Sequence, residues 1–260
     1  MAIILPANTL SAGGYSVANS CRFNVGDSAN MSRTSPDVTT TNDKLFTMSF
    51  WFKLGSPTTN AQLFDNYSGS GSEFQIYLQS NGKIRLQVAD TGNRWELVTT
   101  RVFRDPSAWY NVIISYDSTP STPSASSCRM WVNGVLETAF DTAVYPTQNQ
   151  DGHFGQQNHI QYIGRHQAGG GSSRYWDGYM SEIIGVDGQA LVNTDFGEFD
   201  EDSPTIWKPK DISGINVGAL GFYLDFEDSS NLGNDIAGNG DFTENNLAAA
   251  DQATDTPTNN

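Results

Sequence analysis

Apolar residues recur at every second position through most of this chain. In LFTMSFWFKL (45–54), Phe46, Met48, Phe50, Phe52 and Leu54 share one face, and Thr47, Ser49, Trp51 and Lys53 share the other. That period is the signature of a β-strand, whose successive side chains point to opposite sides of the sheet. In SEFQIYLQSNGKIRLQVAD the apolar set is Phe74, Ile76 and Leu78, then Ile84, Leu86 and Val88 after Asn81-Gly82. Two strands joined by an Asn-Gly turn are predicted. SCRMWVNGVLE predicts another hairpin at Asn133-Gly134, because Asn and Gly tolerate the positive φ that both central residues of such a turn need. AWYNVIISYD alternates Tyr110, Val112, Ile114 and Tyr116, and LGFYLDFED alternates Leu220, Phe222, Leu224 and Phe226. One short helix is predicted, near LVNTDFGEF (191–199).

Strands with one apolar face must bury it against a second sheet. The expectation is therefore an all-β fold, a two-sheet antiparallel β-sandwich, over residues 19–226. Residues 1–18 lack periodicity and read as an N-terminal arm. Residues 227–260 are rich in Asn, Asp, Ala and Thr and read as an extended or coil-like C-terminal extension.

Composition sharpens this picture without changing it. Only 17% of residues are charged, with 14 Phe, 10 Tyr and 25 Gly, a balance that suits sheets and turns. The net charge of −15 argues against nucleic acid as a partner, since phosphate contacts need clustered Lys and Arg. It is compatible with calcium, which takes oxygen ligands. MAIILPANTL has no basic flank and its apolar run stops at Pro6, so it does not read as a signal peptide. No apolar stretch reaches membrane-spanning length. Cys21 and Cys128 are open to two readings, a bridge across the sandwich or two buried free thiols.

The segment order carries a resemblance. FTMSFWFKL, then Trp109-Tyr110-Asn111-Val112, then the MWVNG hairpin, then Tyr162-Ile163-Gly164, then the strand from Tyr175 to Glu182 resemble the laminin-G-like, concanavalin A-like jelly rolls. SCRFNVGDSANMSRT, RVFRDPSAWYNV, DGYMSEIIGVDGQAL, IWKPKDISG and GFYLDFEDSSNLGNDIAGNGDFTENN are similar to tail or fibre proteins of tailed bacteriophages that carry this jelly roll. That likeness implies a virion component assembled in the host cytoplasm. It also implies contacts with other virion proteins and host-surface glycan, no membrane insertion, and a homo-oligomer, with a trimer favoured. FEDSSNLGNDIAGNGDF resembles an entry strand that usually starts such a domain, which implies a permuted order or the stub of a second domain.

Candidate chemistry follows from these expectations. Glycan recognition calls for exposed rings that stack on sugar faces, with amides and carboxylates fixing orientation. The candidates are Tyr67, Trp95, Tyr175 and Trp176, read as loop-borne or outward-facing, with Trp51 on the polar side of its strand. The alternative is a purely structural adaptor whose sandwich faces bind other subunits. Calcium is the candidate cofactor, with Asn234, Asp235, Asn239 and Asp241 in a Gly-rich loop as ligands, although tight turns use the same residues. His153, His159 and His166 lie close in sequence, but their spacing is looser than zinc sites favour. Glycan hydrolases share this sandwich, and the nearest paired-carboxylate stretch is GEFDEDSP, with Glu198, Asp200 and Glu201. Its spacing fits a solvated acidic loop better than a catalytic strand, so a non-enzymatic protein is expected.

Overall fold

The computed structural model describes residues 14–38, 42–56, 60–68, 73–89, 94–167 and 174–259. Two antiparallel sheets pack into the expected sandwich. The first runs, in spatial order, through β10 (Val135–Leu136), β9 (Cys128–Val132), β8 (Trp109–Asp117), β3 (Leu45–Leu54), β13 (Gly178–Asp187), β1 (Ser20–Phe23) and β18 (Gln252–Ala253). β16 (Phe222–Leu224) shares with β1 one edge of β13. The second sheet runs through β11 (Phe140–Val144), β7 (Trp95–Thr99), β6 (Ile84–Ala89), β5 (Glu73–Leu78), β4 (Ala61–Tyr67), β12 (Ile160–Ile163), β2 (Asn30–Thr34) and β17 (Thr243–Asn245). β14 (Gly197–Phe199) and β15 (Trp207–Pro209) form a separate hairpin.

The main core lies between the sheets, and the alternating residues fill it. Phe46, Met48, Phe50, Phe52 and Leu54 of β3 meet Phe74, Ile76, Leu78, Ile84, Leu86 and Val88 of β5 and β6. Phe46 stacks between Tyr116 and Phe154, at centroid distances of 4.9 and 5.1 Å. Cys21 and Cys128 are both buried free thiols, so no bridge crosses the sandwich. Burial raises the pKa of each above the usual thiol range.

The Asn133-Gly134 turn has the predicted form, with φ of 48° and 75°. Its glycine has a second reason: a Cβ there would stand 2.2 Å from the Trp207 ring. The Asn81-Gly82 hairpin also forms, but by a different turn. Gly82 alone has positive φ, at 81°, and its N–H donates to Gln79 O, while Gln79 N–H donates to Lys83 O. This is a type I turn ending in a left-handed glycine, in which Asn81 stays right-handed.

One expectation is corrected. The helix near 191–199 is only a single 3-10 turn, Asn193–Asp195, leading into β14. Phe196 turns inward beneath Trp207 there, and Gly197 packs directly on the indole, where a Cβ would stand 2.5 Å from the ring. The C-terminal extension supplies β17 to the edge of one sheet and β18 to the other.

Arg33 explains how that return is held. Its Nε donates to Gln161 Oε1 at 2.7 Å, and Nη1 to Gly240 O at 3.0 Å and Asp235 Oδ2 at 3.3 Å. Nη2 donates to Leu220 O and Gly221 O, and the guanidinium lies against both the Phe222 and Phe242 rings, which meet edge-on. Every donor of a planar five-donor group is thereby used. Burial still lowers the Arg33 pKa to about 10.

Candidate functional site

The two outer faces of the sandwich are built differently. On the first sheet, Trp51, Trp109, Ile113, Trp131 and Ile184 point away from the main core, where solvent would be expected. They form a second apolar cluster beneath Phe196, Trp207, Ile212, Val217 and Tyr223. Trp207 Nε1 donates to Asn111 Oδ1 at 2.9 Å, so the cover is bonded as well as packed. Trp51 is therefore buried under the chain's own later segment and offers no ring to a ligand.

The outer face of the second sheet is polar. Register places Asp65, Gln75, Gln87 and Glu96 in one row across β4, β5, β6 and β7, continued by Tyr162 of β12. Flanking rows hold Tyr67 and Glu73 on one side, and Tyr77, Arg85 and Val98 on the other. Residues opposite one another in a ladder share a face, so these side chains meet across the consecutive strands β4 to β7, with Tyr162 arriving from β12. Gln87 Nε2 donates to Gln75 Oε1 at 2.8 Å, and Arg174 Nη2 to the same oxygen at 3.2 Å. Arg85 and Arg94 both pair with Glu96 at 2.8 Å. The guanidinium of Arg174 lies 4.3 Å from the Tyr77 ring centroid, and that of Arg165 lies 5.4 and 5.9 Å from those of Tyr162 and Tyr175.

Asp65, Gln75, Tyr77 and Tyr162 form a buried floor, while Tyr67, Glu73, Arg85, Gln87, Glu96, Arg174 and Tyr175 are half-exposed around it. Burial and the Asp65 charge raise the Glu73 pKa. The facing carboxylates of Asp65 and Glu73 come within 4.8 Å of one another. That is shorter than the roughly 5–5.5 Å of retaining glycosidases, and Asp65 is fully buried under His166 and Gln167.

Of the predicted glycan-binding residues, Tyr67 and Tyr175 keep part of their surface open, Tyr67 opposite Glu73 in the flanking row and Tyr175 beside Arg165. Trp95 and Trp176 do not. Both are fully buried core residues: Trp95 stacks on Tyr116 at 5.1 Å and Trp176 meets Phe52 edge-on at 5.6 Å. Trp95 is drawn inward by its register opposite Val88, and Trp176 by its backbone bond to Gly164 O. The sequence reading missed the Gln75, Gln87, Arg85 and Arg174 network. Its one legible signal was the run of polar residues alternating with the apolar face of β5 and β6.

The proposed calcium loop is corrected too. Asp235 Oδ1 accepts from Tyr223 N and Ala237 N, and Oδ2 from Asn239 N and Arg33. Asp241 accepts from Asp235 N and Asn231 Nδ2, and Asn239 Nδ2 donates to Gly218 O. Asn234 is half-buried beside them and contributes a backbone bond to Asn231 O. Both oxygens of each carboxylate thus face N–H donors, and the cation at Asp235 is the Arg33 guanidinium. In GEFDEDSP, Asp200 is buried, with Oδ1 accepting from Asp202 N and Ser203 N and Oδ2 3.5 Å from Lys208 Nζ. Glu198 lies 3.4 Å from the same Lys208 and Glu201 is exposed, so this stretch closes the β14–β15 hairpin.

One further ionisable group is buried. Glu182 sits at the β13 bulge with φ of 48°, a strained value for a non-glycine residue. Its Oε2 accepts from Tyr223 Oη at 2.7 Å and Tyr15 Oη at 3.3 Å. Burial pushes its pKa up to about 7 despite those bonds. A cleft of about 400 Å³ lies elsewhere, at the β5–β6 hairpin tip beside Phe103 and Arg104, and holds none of this polar network. Among the described residues no helix is long and apolar enough to cross a membrane.

A laminin G-type family model, described as the concanavalin A-like lectin/glucanases superfamily, matches residues 26–184. Among solved structures, a candidate carbohydrate-binding protein from Bacteroides ovatus is similar over 93% of this chain and 61% of its own, with TM-score 0.62 and 17% identity. A heptameric SAP-like pentraxin from Limulus polyphemus is similar over 69% of this chain and 80% of its own, with TM-score 0.46 and 15% identity. Mouse laminin α1 domains LG4-5 are similar over 73% and 48%, with TM-score 0.46 and 14% identity. This chain spans less than two thirds of the Bacteroides and laminin chains. No curated protein matches it by sequence.

Proposed function

The chain belongs to the concanavalin A-like lectin/glucanase superfamily, and on that premise we propose that it is a non-enzymatic, lectin-like module binding carbohydrate on the outer face of its second sheet. One observation carries the reading: that face is polar and open, with Gln75, Gln87 and Arg174 joined by hydrogen bonds and Tyr67 and Tyr175 half-exposed, while the opposite face is sealed by the chain itself. Half-exposed rings stack on the apolar side of a pyranose, and amide and guanidinium groups bond its hydroxyls. The Bacteroides structure, described as carbohydrate-binding, supports the same direction. Catalysis is disfavoured because Asp65, the inner member of the facing carboxylate pair, is out of reach of a sugar.

The resemblance of the five sequence stretches to phage tail and fibre proteins supports a role for this module in a virion, displayed outward among other virion proteins. There it would recognise host-surface glycan as a homo-oligomer, a trimer by that likeness. A broad bacterial glycan array tests the reading. We expect specific binding by the purified chain and its loss in Tyr67→Ala and Tyr175→Ala. A blank array from folded, native-oligomer protein would favour a structural adaptor instead.

A further inference from the structure

Inside the polar face, one group of side chains is not explained by its own hydrogen bonds. Asp65 on β4, Glu73 on β5 and His166 after β12 each offer a ligand atom, and these atoms all lie within 4.8 Å of one another. Asp65 is fully buried. Its Oδ2 accepts from Gln167 N at 3.0 Å and lies 3.0 Å from His166 Nδ1, but its Oδ1 is buried with no hydrogen-bond partner. A buried carboxylate oxygen without a donor or cation is a costly arrangement, and native proteins rarely leave one. His166 Nδ1 is also 3.3 Å from Gln75 Nε2, so it can donate to Asp65 or accept from Gln75, not both. Gln75 Nε2 in turn donates to Glu73 Oε2.

We infer that Asp65, Glu73 and His166 form a binding site for a divalent transition-metal ion, zinc by the chemistry of the donors. Two carboxylates and one imidazole are a ligand set zinc accepts, with three protein ligands and a fourth position left for solvent or a ligand oxygen. Two ligand atoms about 2.0–2.1 Å from a tetrahedral zinc stand roughly 3.3 Å apart, close to the 3.0 Å between Asp65 Oδ2 and His166 Nδ1. Calcium fits less well, since it takes six to eight oxygens and gains little from an imidazole. A dication would also balance the charge of the two carboxylates. The site draws on none of the residues of the Asp235 loop. It goes beyond the glycan reading, because the metal requires no sugar.

Isothermal titration of the chelator-treated full chain with zinc chloride, and separately with calcium chloride, tests this. The expected result is one zinc per chain, bound in preference to calcium. Glu73→Gln and His166→Gln should each weaken zinc by more than the roughly tenfold that loss of an outer-shell partner costs. His159→Gln should bind as the parent does. Glu73 is half-buried, so its amide variant is suited to keep the fold, and far-UV circular dichroism checks both variants. The site is refuted if the folded parent takes up no zinc, if calcium binds in preference, or if zinc binding survives both substitutions.

Discussion

The two outer faces of this sandwich start from the same backbone and end differently. On the first sheet the outward positions of β3, β8 and β9 include Trp51, Trp109, Ile113 and Trp131, and a later stretch of the chain lies over them. On the second sheet the outward positions of β4 to β7 include Asp65, Glu73, Gln75, Arg85, Gln87 and Glu96, and they bond mainly to one another. An apolar face gains free energy by being covered. A polar face gains little from an apolar cover and stays open, with its rings half-exposed. Which face is covered and which stays open is therefore written in the outward-facing residues, not in the alternation both sheets share.

The comparison can be broken most forcefully at the node that returns the covering segment to the sandwich. Arg33→Ala leaves Asp235 as a buried charge without its cation, at an expected loss of about 3–5 kcal/mol. Urea unfolding measures it, and an unchanged midpoint would mean the C-terminal return is not held by this pair. Next in size is Trp207→Ala, which opens the cover over Trp51 and Trp131 and should cost about 3 kcal/mol, with increased binding of a hydrophobic dye. A stable variant that binds no dye would show that the cover is dispensable.

Glu182 sharpens the same side of the comparison through pH. Its folded pKa of about 7 lies above the ordinary 4.5, so the folded state holds its proton more tightly than the unfolded state. The resulting stability is fully present below about pH 4.5 and is lost as pH rises through 7, at up to about 1.4 kcal/mol per pH unit. In Glu182→Gln that slope should vanish between those limits. Equal slopes in both proteins would place the titrating group elsewhere. The smallest stability effects belong to the polar face. Tyr67→Ala and Tyr175→Ala should each shift unfolding by no more than about 1 kcal/mol while abolishing glycan binding. A large loss of stability with binding intact would reverse the assignment of roles.

Much of the fold was legible in the chain because it depends on short-range pattern. The core faces of β3, β5, β6, β8 and β16 are the alternating residues read from the sequence, and both Asn-Gly hairpins form. The turn type at Asn81-Gly82 was not legible, because Asn-Gly suits both a two-residue turn and a longer one that ends in a left-handed glycine. Trp95 and Trp176 misled for a related reason: flanking Gly, Ser and Asn residues look like loop, yet register turns both rings into the core. The acidic residues around Asp235 had the composition of a calcium loop, and only the approach of Arg33 makes them an anion's binding site for a guanidinium.

What the sequence determines by itself is therefore the sandwich, its hairpins and the identity of its buried rows, since each is encoded over a few consecutive residues. Tertiary structure alone decides which groups become neighbours: His166 and Asp65 meet across 101 positions of chain, and Arg33 and Asp235 across 202. The reason is that a sheet aligns its strands sideways. Lateral neighbours are set by register and strand order, which a period of two does not specify.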